Sequence, residues 1–170
     1  IAHRLAAEDA CQLSNRYPSD KYLLTAEQCS EALLTQVFSP RIAAPEVFRQ
    51  FVYAWLTGNG DLHAKNLSIV ENRKGQYELS PIYDIPSTAP YGDKSMALLL
   101  SGKKDGLSRR RFLTFAHNIG VSSRVAEHVL EEVLTGTEHL AEQAREELPF
   151  DSHRMKELLK VLKNRRRSLL

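Results

Sequence analysis

The spacing of apolar and polar positions divides the chain into helical stretches at both ends and a more extended middle. Thr25-Ala-Glu-Gln28 has the form of a capping box, and Cys29, Leu33, Leu34, Val37 and Phe38 follow at helical spacing. A helix is predicted there, stopping before Pro40. Pro45 is predicted to open a second helix at its first position, where a missing amide costs nothing. Val47, Phe48, Phe51, Val52, Trp55 and Leu56 give that helix a broad apolar face up to Gly58. From Leu67 the period changes: residues 67–71 and 76–80 are short runs flanking Asn72-Arg-Lys-Gly75, which reads as a hairpin turn. Residues 96–100 are apolar and too few to separate a buried strand from an extended segment. Ser108 is predicted to cap a third helix, through Phe112, Phe115 and Ile119, ended by Gly120. A single long helix is then expected from Ser122 or Ser123, tolerating Gly136, to Leu148 just before Pro149. Asp151 caps a last helix through Met155, Leu158, Leu159 and Leu162. The predicted fold is mainly α with a small β-hairpin, its core built by the apolar face of residues 48–56 against the later helices.

Composition narrows the class without naming a function. At 170 residues, 42% hydrophobic and 26% charged, the chain has the make-up of one soluble globular domain rather than a disordered or low-complexity one. No apolar run approaches the roughly 20 residues that span a bilayer, and the start of the chain lacks the apolar core of a signal peptide. Cys11 and Cys29 fit no zinc spacing and are read as reduced thiols, which points to a cytoplasmic protein with no membrane partner. Charge is balanced overall, with 23 Lys and Arg against 21 Asp and Glu, but not locally. Residues 121–150 carry two basic and seven acidic side chains, while residues 151–170 carry seven basic and two acidic. The basic tail is read first as a solvated helix end favoured by the helix dipole, and second as a surface for phosphate or an acidic partner.

The densest polar chemistry lies where the second helix hands over to the hairpin, in Gly58-Asn-Gly-Asp61-Leu-His63-Ala-Lys65-Asn66. Asp61 and Asn66 stand five apart, the Asp-x-x-x-x-Asn of a kinase catalytic loop, in which the Asp accepts the proton of the attacking hydroxyl and the Asn oxygen ligates Mg²⁺. After the hairpin, Ile82-Tyr83-Asp84 falls where a kinase presents a second metal-binding carboxylate. Phosphoryl transfer needs one carboxylate near the nucleophile and hard oxygen ligands for Mg²⁺, and an amide with a carboxylate meets that need. An Asp five before an Asn is common by itself, and Asn59-Gly60-Asp61 alone reads as an ordinary turn. The order of helix, loop, hairpin and apolar-Tyr-Asp carries the inference. His63, taken alone, reads as a structural histidine; in this loop it could brace Asp61 or approach a phosphate.

These residues resemble the HipA-like serine/threonine kinases, the toxin half of bacterial type II toxin–antitoxin modules. The resemblance rests on Glu8-Asp9-x-Cys11-Gln12, Lys21-Tyr22, Gly58-Asn-Gly-Asp-Leu-His-Ala-Lys-Asn-Leu-Ser-Ile69, Pro81-Ile-Tyr-Asp84 and residues 96–103, and spans the chain from about residue 8 to about residue 103. It implies the helical C-terminal lobe of a protein-kinase-like fold over residues 1–170, with the catalytic and metal-binding segment at about 58–84 and a helical remainder at 108–170. It implies that Asp61 is the catalytic base and that Asn66 and Asp84 hold Mg²⁺. His63, Lys65 and Asn66, with Tyr83 and Asp84, would lie against the phosphates of ATP, Tyr83 packing beside the metal ligand. It also implies a DNA-binding antitoxin of the HipB kind as partner, through which DNA association is indirect, and an aminoacyl-tRNA synthetase as protein substrate.

A kinase also grips its phosphates with an amide-rich loop and a strand lysine on an N-terminal lobe. The residues before Asp61 read as helical, contain no Gly before Gly58, and supply neither part. Because the chain starts at Ile1 rather than Met, it is expected to be the C-terminal portion of such a protein, weak or inactive by itself. Two other readings stay open: a phosphotransferase lobe for a small molecule, like the aminoglycoside and choline kinases, and a non-catalytic helical module that binds an antitoxin or DNA.

Overall fold

The computed structural model describes residues 4–170. Strand β1 (Ala7–Asp9) runs straight into helix α1 (Ala10–Leu13), whose start is fastened by a capping box. Asp9 Oδ1 accepts from the Gln12 amide at 2.9 Å, and Gln12 Oε1 accepts from the Asp9 amide at 3.0 Å. The Thr25–Gln28 box forms as predicted and opens α2 (Ala26–Gln36). Such caps are worth about 1 kcal/mol each. Helix α3 (Pro40–Leu56) follows, then the hairpin of β2 (Ser68–Glu71) and β3 (Tyr77–Leu79), α4 (Arg109–Asn118), α5 (Ser123–Gly136), α6 (Leu140–Glu147) and α7 (Ser152–Leu169).

Three expectations change. Helix α3 begins at Pro40, not Pro45: the Ile42 and Ala43 amides both reach the Ser39 carbonyl at 3.0 Å, so the first of two competing prolines takes the entry position. Pro45 then sits inside the helix and gives up the bond to the Arg41 carbonyl, on an exposed residue where water can serve it. The single long helix over 123–148 is two helices. Thr137 turns its hydroxyl back onto the Val133 carbonyl at 2.7 Å after Gly136, and the chain bends so that Leu140 and Ala144 pack with α7. The hairpin is one part of a three-stranded antiparallel sheet of order β1-β2-β3, with Ala7 opposite Val70 and Ile69 opposite Leu79. Residues 96–100, left open by the sequence, are an extended segment buried except at Leu99, which bridges to Thr25 at the N-cap of α2.

The core sits where predicted, on the inner face of α3. Phe48 and Phe51 are wholly buried and meet Phe112 and Phe115 of α4, with Phe51 and Phe115 edge to face at 5.1 Å between ring centres. Helix α5 also packs on α3 and adds Ala126, Val129 and Leu130 to the same core. A second, smaller apolar cluster joins α6 and α7 to Ala89 through Leu158, Val161 and Leu162. Among the described residues, no helix is long and apolar enough to cross a membrane, and Cys11 and Cys29 are buried free thiols.

Candidate active site

The Gly58–Asn66 loop is mounted on the end of α3. Gly58 leaves the helix at φ +75, and its carbonyl accepts the amides of Thr88 at 3.1 Å and Ala89 at 3.2 Å. Asn59 is completely buried and acts as a brace: its Oδ1 accepts the Asp61 amide at 2.9 Å, and its Nδ2 donates to the Pro86 carbonyl at 2.7 Å. Gly60 has no room for a side chain, since a Cβ there would lie 2.6 Å from the Ser95 carbonyl oxygen. The loop therefore presses directly on residues 86–95, and its shape is set by backbone contacts rather than by a turn sequence alone.

Asp61, Asn66 and Asp84 are brought together. The Asn66 amide donates to the Asp61 carbonyl at 3.0 Å and to the Asp84 carbonyl at 3.3 Å, bridging loop and hairpin exit. Both Asn66 donors are thereby spent on backbone, which leaves its Oδ1 to accept from elsewhere. Asp84 is exposed and held at φ +52, a left-handed conformation costly for a residue with a side chain and found where surrounding structure enforces it.

The remaining predicted residues are committed to local partners. The Lys65 ammonium pairs with Asp9 Oδ2 at 2.8 Å, which raises its pKa, so the α1 cap and the loop share one carboxylate. The Tyr83 hydroxyl donates to the Lys65 carbonyl at 2.8 Å and is bonded to the Ser68 hydroxyl, tying the Asp84 segment to β2. His63 does not brace Asp61 by a hydrogen bond, its Nε2 lying 3.9 Å from Oδ1. That nitrogen instead meets Lys21 Nζ at 2.9 Å, and Nδ1 is buried with no hydrogen-bond partner. Burial first and the Lys21 charge second hold the His63 ring below its ordinary pKa of 6.5, so it is neutral at pH 7.

Residues without an assigned role in the sequence also shape the site. Tyr22 donates its hydroxyl to Asp61 Oδ1 at 2.7 Å. Arg165, read as part of a solvated tail, is buried: Nη1 donates to the Trp55 carbonyl at 2.9 Å and the Asn59 carbonyl at 3.4 Å, and Nη2 donates to the Lys94 carbonyl. Burial lowers its pKa to about 10, still far above neutrality. Arg165 thus fastens α7 to both the loop and the segment it presses on. The basic run of α7 signalled charge but not which of its members turns inward.

A helical lobe that carries an Asp-x-x-x-x-Asn loop ahead of the hairpin of a small antiparallel sheet has the architecture of a kinase-like fold. The structure superposes with TM-score 0.74 on a chain of the Shewanella oneidensis MR-1 toxin–antitoxin complex of HipA, HipB and operator DNA, at 19% identity, covering 95% of this chain and 44% of that one. The HipA-like C-terminal domain model matches residues 2–141, and the chain belongs to that family. Among curated relatives, a Haemophilus influenzae protein named "Putative kinase" is 26% identical over 145 residues, covering 72% of this chain. A Sinorhizobium fredii protein, "Putative kinase Y4mE", is 30% identical over 129 residues, covering 71% of this chain. The chain spans 42% and 30% of the lengths of these two relatives.

Proposed function

We propose that residues 1–170 form the catalytic lobe of a MgATP-dependent serine/threonine protein kinase of the toxin–antitoxin type, whose nucleotide-gripping lobe lies outside these residues. The observation that carries the reading is the Asn66 side-chain amide, which donates to the backbone carbonyls of both Asp61 and Asp84 and so holds the three residues beside one another.

The donor set fits Mg²⁺, a hard cation that prefers oxygen and retains water and phosphate ligands. Asn66 Oδ1 and the Asp84 carboxylate would hold it. When bound, Mg²⁺ neutralises phosphate charge. Asp61 would take the proton from the attacking serine or threonine hydroxyl as the new O–P bond to the γ-phosphorus forms and the bond to the bridging oxygen breaks, ADP leaving with that oxygen. Asn59, accepting from the Asp61 amide, keeps the backbone of that residue in place. Asn66 keeps the Asp84 backbone in its left-handed turn. His63, Lys65 and Tyr83 stiffen the loop that faces the phosphates.

An antitoxin of the HipB kind is the expected partner, supported by the fold shared with a chain solved alongside HipB and operator DNA. The reading is tested in the full-length protein by Asp61→Asn, which removes the proton acceptor at constant volume. The melting temperature and MgATP affinity should persist while transfer to protein hydroxyls is lost. Normal transfer by this variant would sink the assignment.

A further inference from the structure

Lys21 and Tyr22 lie between the short 3₁₀ turn at Pro18–Asp20 and α2, far from the loop in sequence, yet both reach it. The Lys21 carbonyl accepts the Ala64 amide at 3.1 Å, locking the two segments together through backbone. The Tyr22 ring stands edge-on to the His63 ring at 5.2 Å between centres, with Lys21 Nζ 4.9 Å from the centre of the Tyr22 ring. The ring is 43% exposed, so core packing does not account for its placement. Its hydroxyl instead spends its one proton on Asp61 Oδ1 at 2.7 Å, and the Asp61 carboxylate holds the phenol above its ordinary pKa of 10, a donor at neutral pH.

From this geometry we infer that Lys21 and Tyr22 are positioning residues of the candidate site: Tyr22 fixes the Asp61 carboxylate through Oδ1, leaving Oδ2 to face a substrate hydroxyl, and Lys21 sets the tautomer of His63. The inference rests on the kinase reading and names two residues that carry it out. A carboxylate held by the Asn59 brace at its backbone alone could still rotate about its side-chain bonds. The Tyr22 bond removes that freedom before substrate arrives, which is how pre-organisation lowers a barrier. An ammonium can only donate, so Lys21 makes His63 Nε2 the acceptor and puts the proton on Nδ1.

The test uses the full-length protein, with ADP release from ATP as the activity and MgATP affinity measured by calorimetry. Tyr22→Phe should lower kcat about tenfold, the loss expected for one hydrogen bond to a charged group, while affinity and melting temperature stay within error. A Tyr22→Phe variant with full kcat beside an inactive Asp61→Asn overturns the inference and leaves the kinase reading standing. An active Asp61→Asn overturns both. A raised kcat in Tyr22→Phe would make the hydroxyl a mimic of substrate that blocks the base, again overturning positioning. The Lys21 half has a readout independent of turnover. In Lys21→Met, the ¹⁵N shifts of His63 should move from the Nδ1–H pattern toward Nε2–H, and an unchanged pattern overturns it.

Discussion

The Arg165 guanidinium stands 4.1 Å from the centre of the Trp55 ring and donates to the carbonyl of the same residue at 2.9 Å. A buried cation is thus satisfied by an aromatic face and three backbone oxygens, while the Asp105 and Asp93 carboxylates favour its charge through space. Arg165→Met should strand those carbonyls and cost about 3 kcal/mol of unfolding free energy. Arg165→Lys, which keeps the charge but loses the planar fork, should recover only part of it. Urea titration of the three proteins reads the order directly, and equal midpoints for Met and wild type would refute it.

The two glycines Gly60 and Gly136 should answer oppositely to alanine. At Gly60 a methyl meets Ser95 backbone oxygen at 2.6 Å and Thr88 Oγ1 at 2.7 Å, so Gly60→Ala should destabilise by about 2 kcal/mol through overpacking. At Gly136 nothing lies within 4 Å and the backbone is helical, so Gly136→Ala should stabilise by about 0.5 kcal/mol through helix propensity. Paired thermal melts check the signs.

Asp84 sets stability against function. Glycine adopts φ +52 without strain, so Asp84→Gly should match or exceed the wild-type melting temperature. It should also lose Mg²⁺-dependent nucleotide binding in the full-length protein, since the carboxylate is gone. Calorimetry with and without Mg²⁺ separates the two effects, and a variant that binds MgATP as well as wild type would remove Asp84 from the metal site.

His63 makes the fold acid-sensitive in a defined window. Its folded pKa lies below the ordinary 6.5, so the unfolded chain takes up a proton first as pH falls. Above about pH 6.5 the ring is neutral in both states and contributes no pH dependence. Below it, stability should decline until the folded-state ring also protonates. Melting temperatures of wild type and His63→Gln, followed from pH 7.5 to 5, should diverge only below about 6.5.

How much of this could be read in the sequence depends on the distance over which each feature is encoded. The Thr25–Gln28 capping box, the turn at Asn72–Gly75 and the apolar face of α3 are written within a few residues and stand in the structure, whereas Ser108 precedes α4 without a side-chain cap bond. The order Asp61, Asn66, Asp84 was equally legible, because the loop and the hairpin that gather them are contiguous. Pro45 and Gly136 misled in opposite ways: each carries a local signal that packing overrode or strengthened. Strand β1, the reach of Tyr22 to Asp61 and the inward turn of Arg165 left no periodic trace, because their partners lie far along the chain.

Those same separations set a sequence in time. The hairpin and the helices are local and can form early, but Asp61 meets Tyr22 across 39 residues, Lys65 meets Asp9 across 56, and Asn59 meets Arg165 across 106. Each of these closures forfeits more chain freedom than a local contact does, and each must wait for the segments between to settle. The chemistry of the loop is therefore a late product of folding. A refolding chain should regain its helical circular dichroism before it regains the ordered surroundings of Asp61.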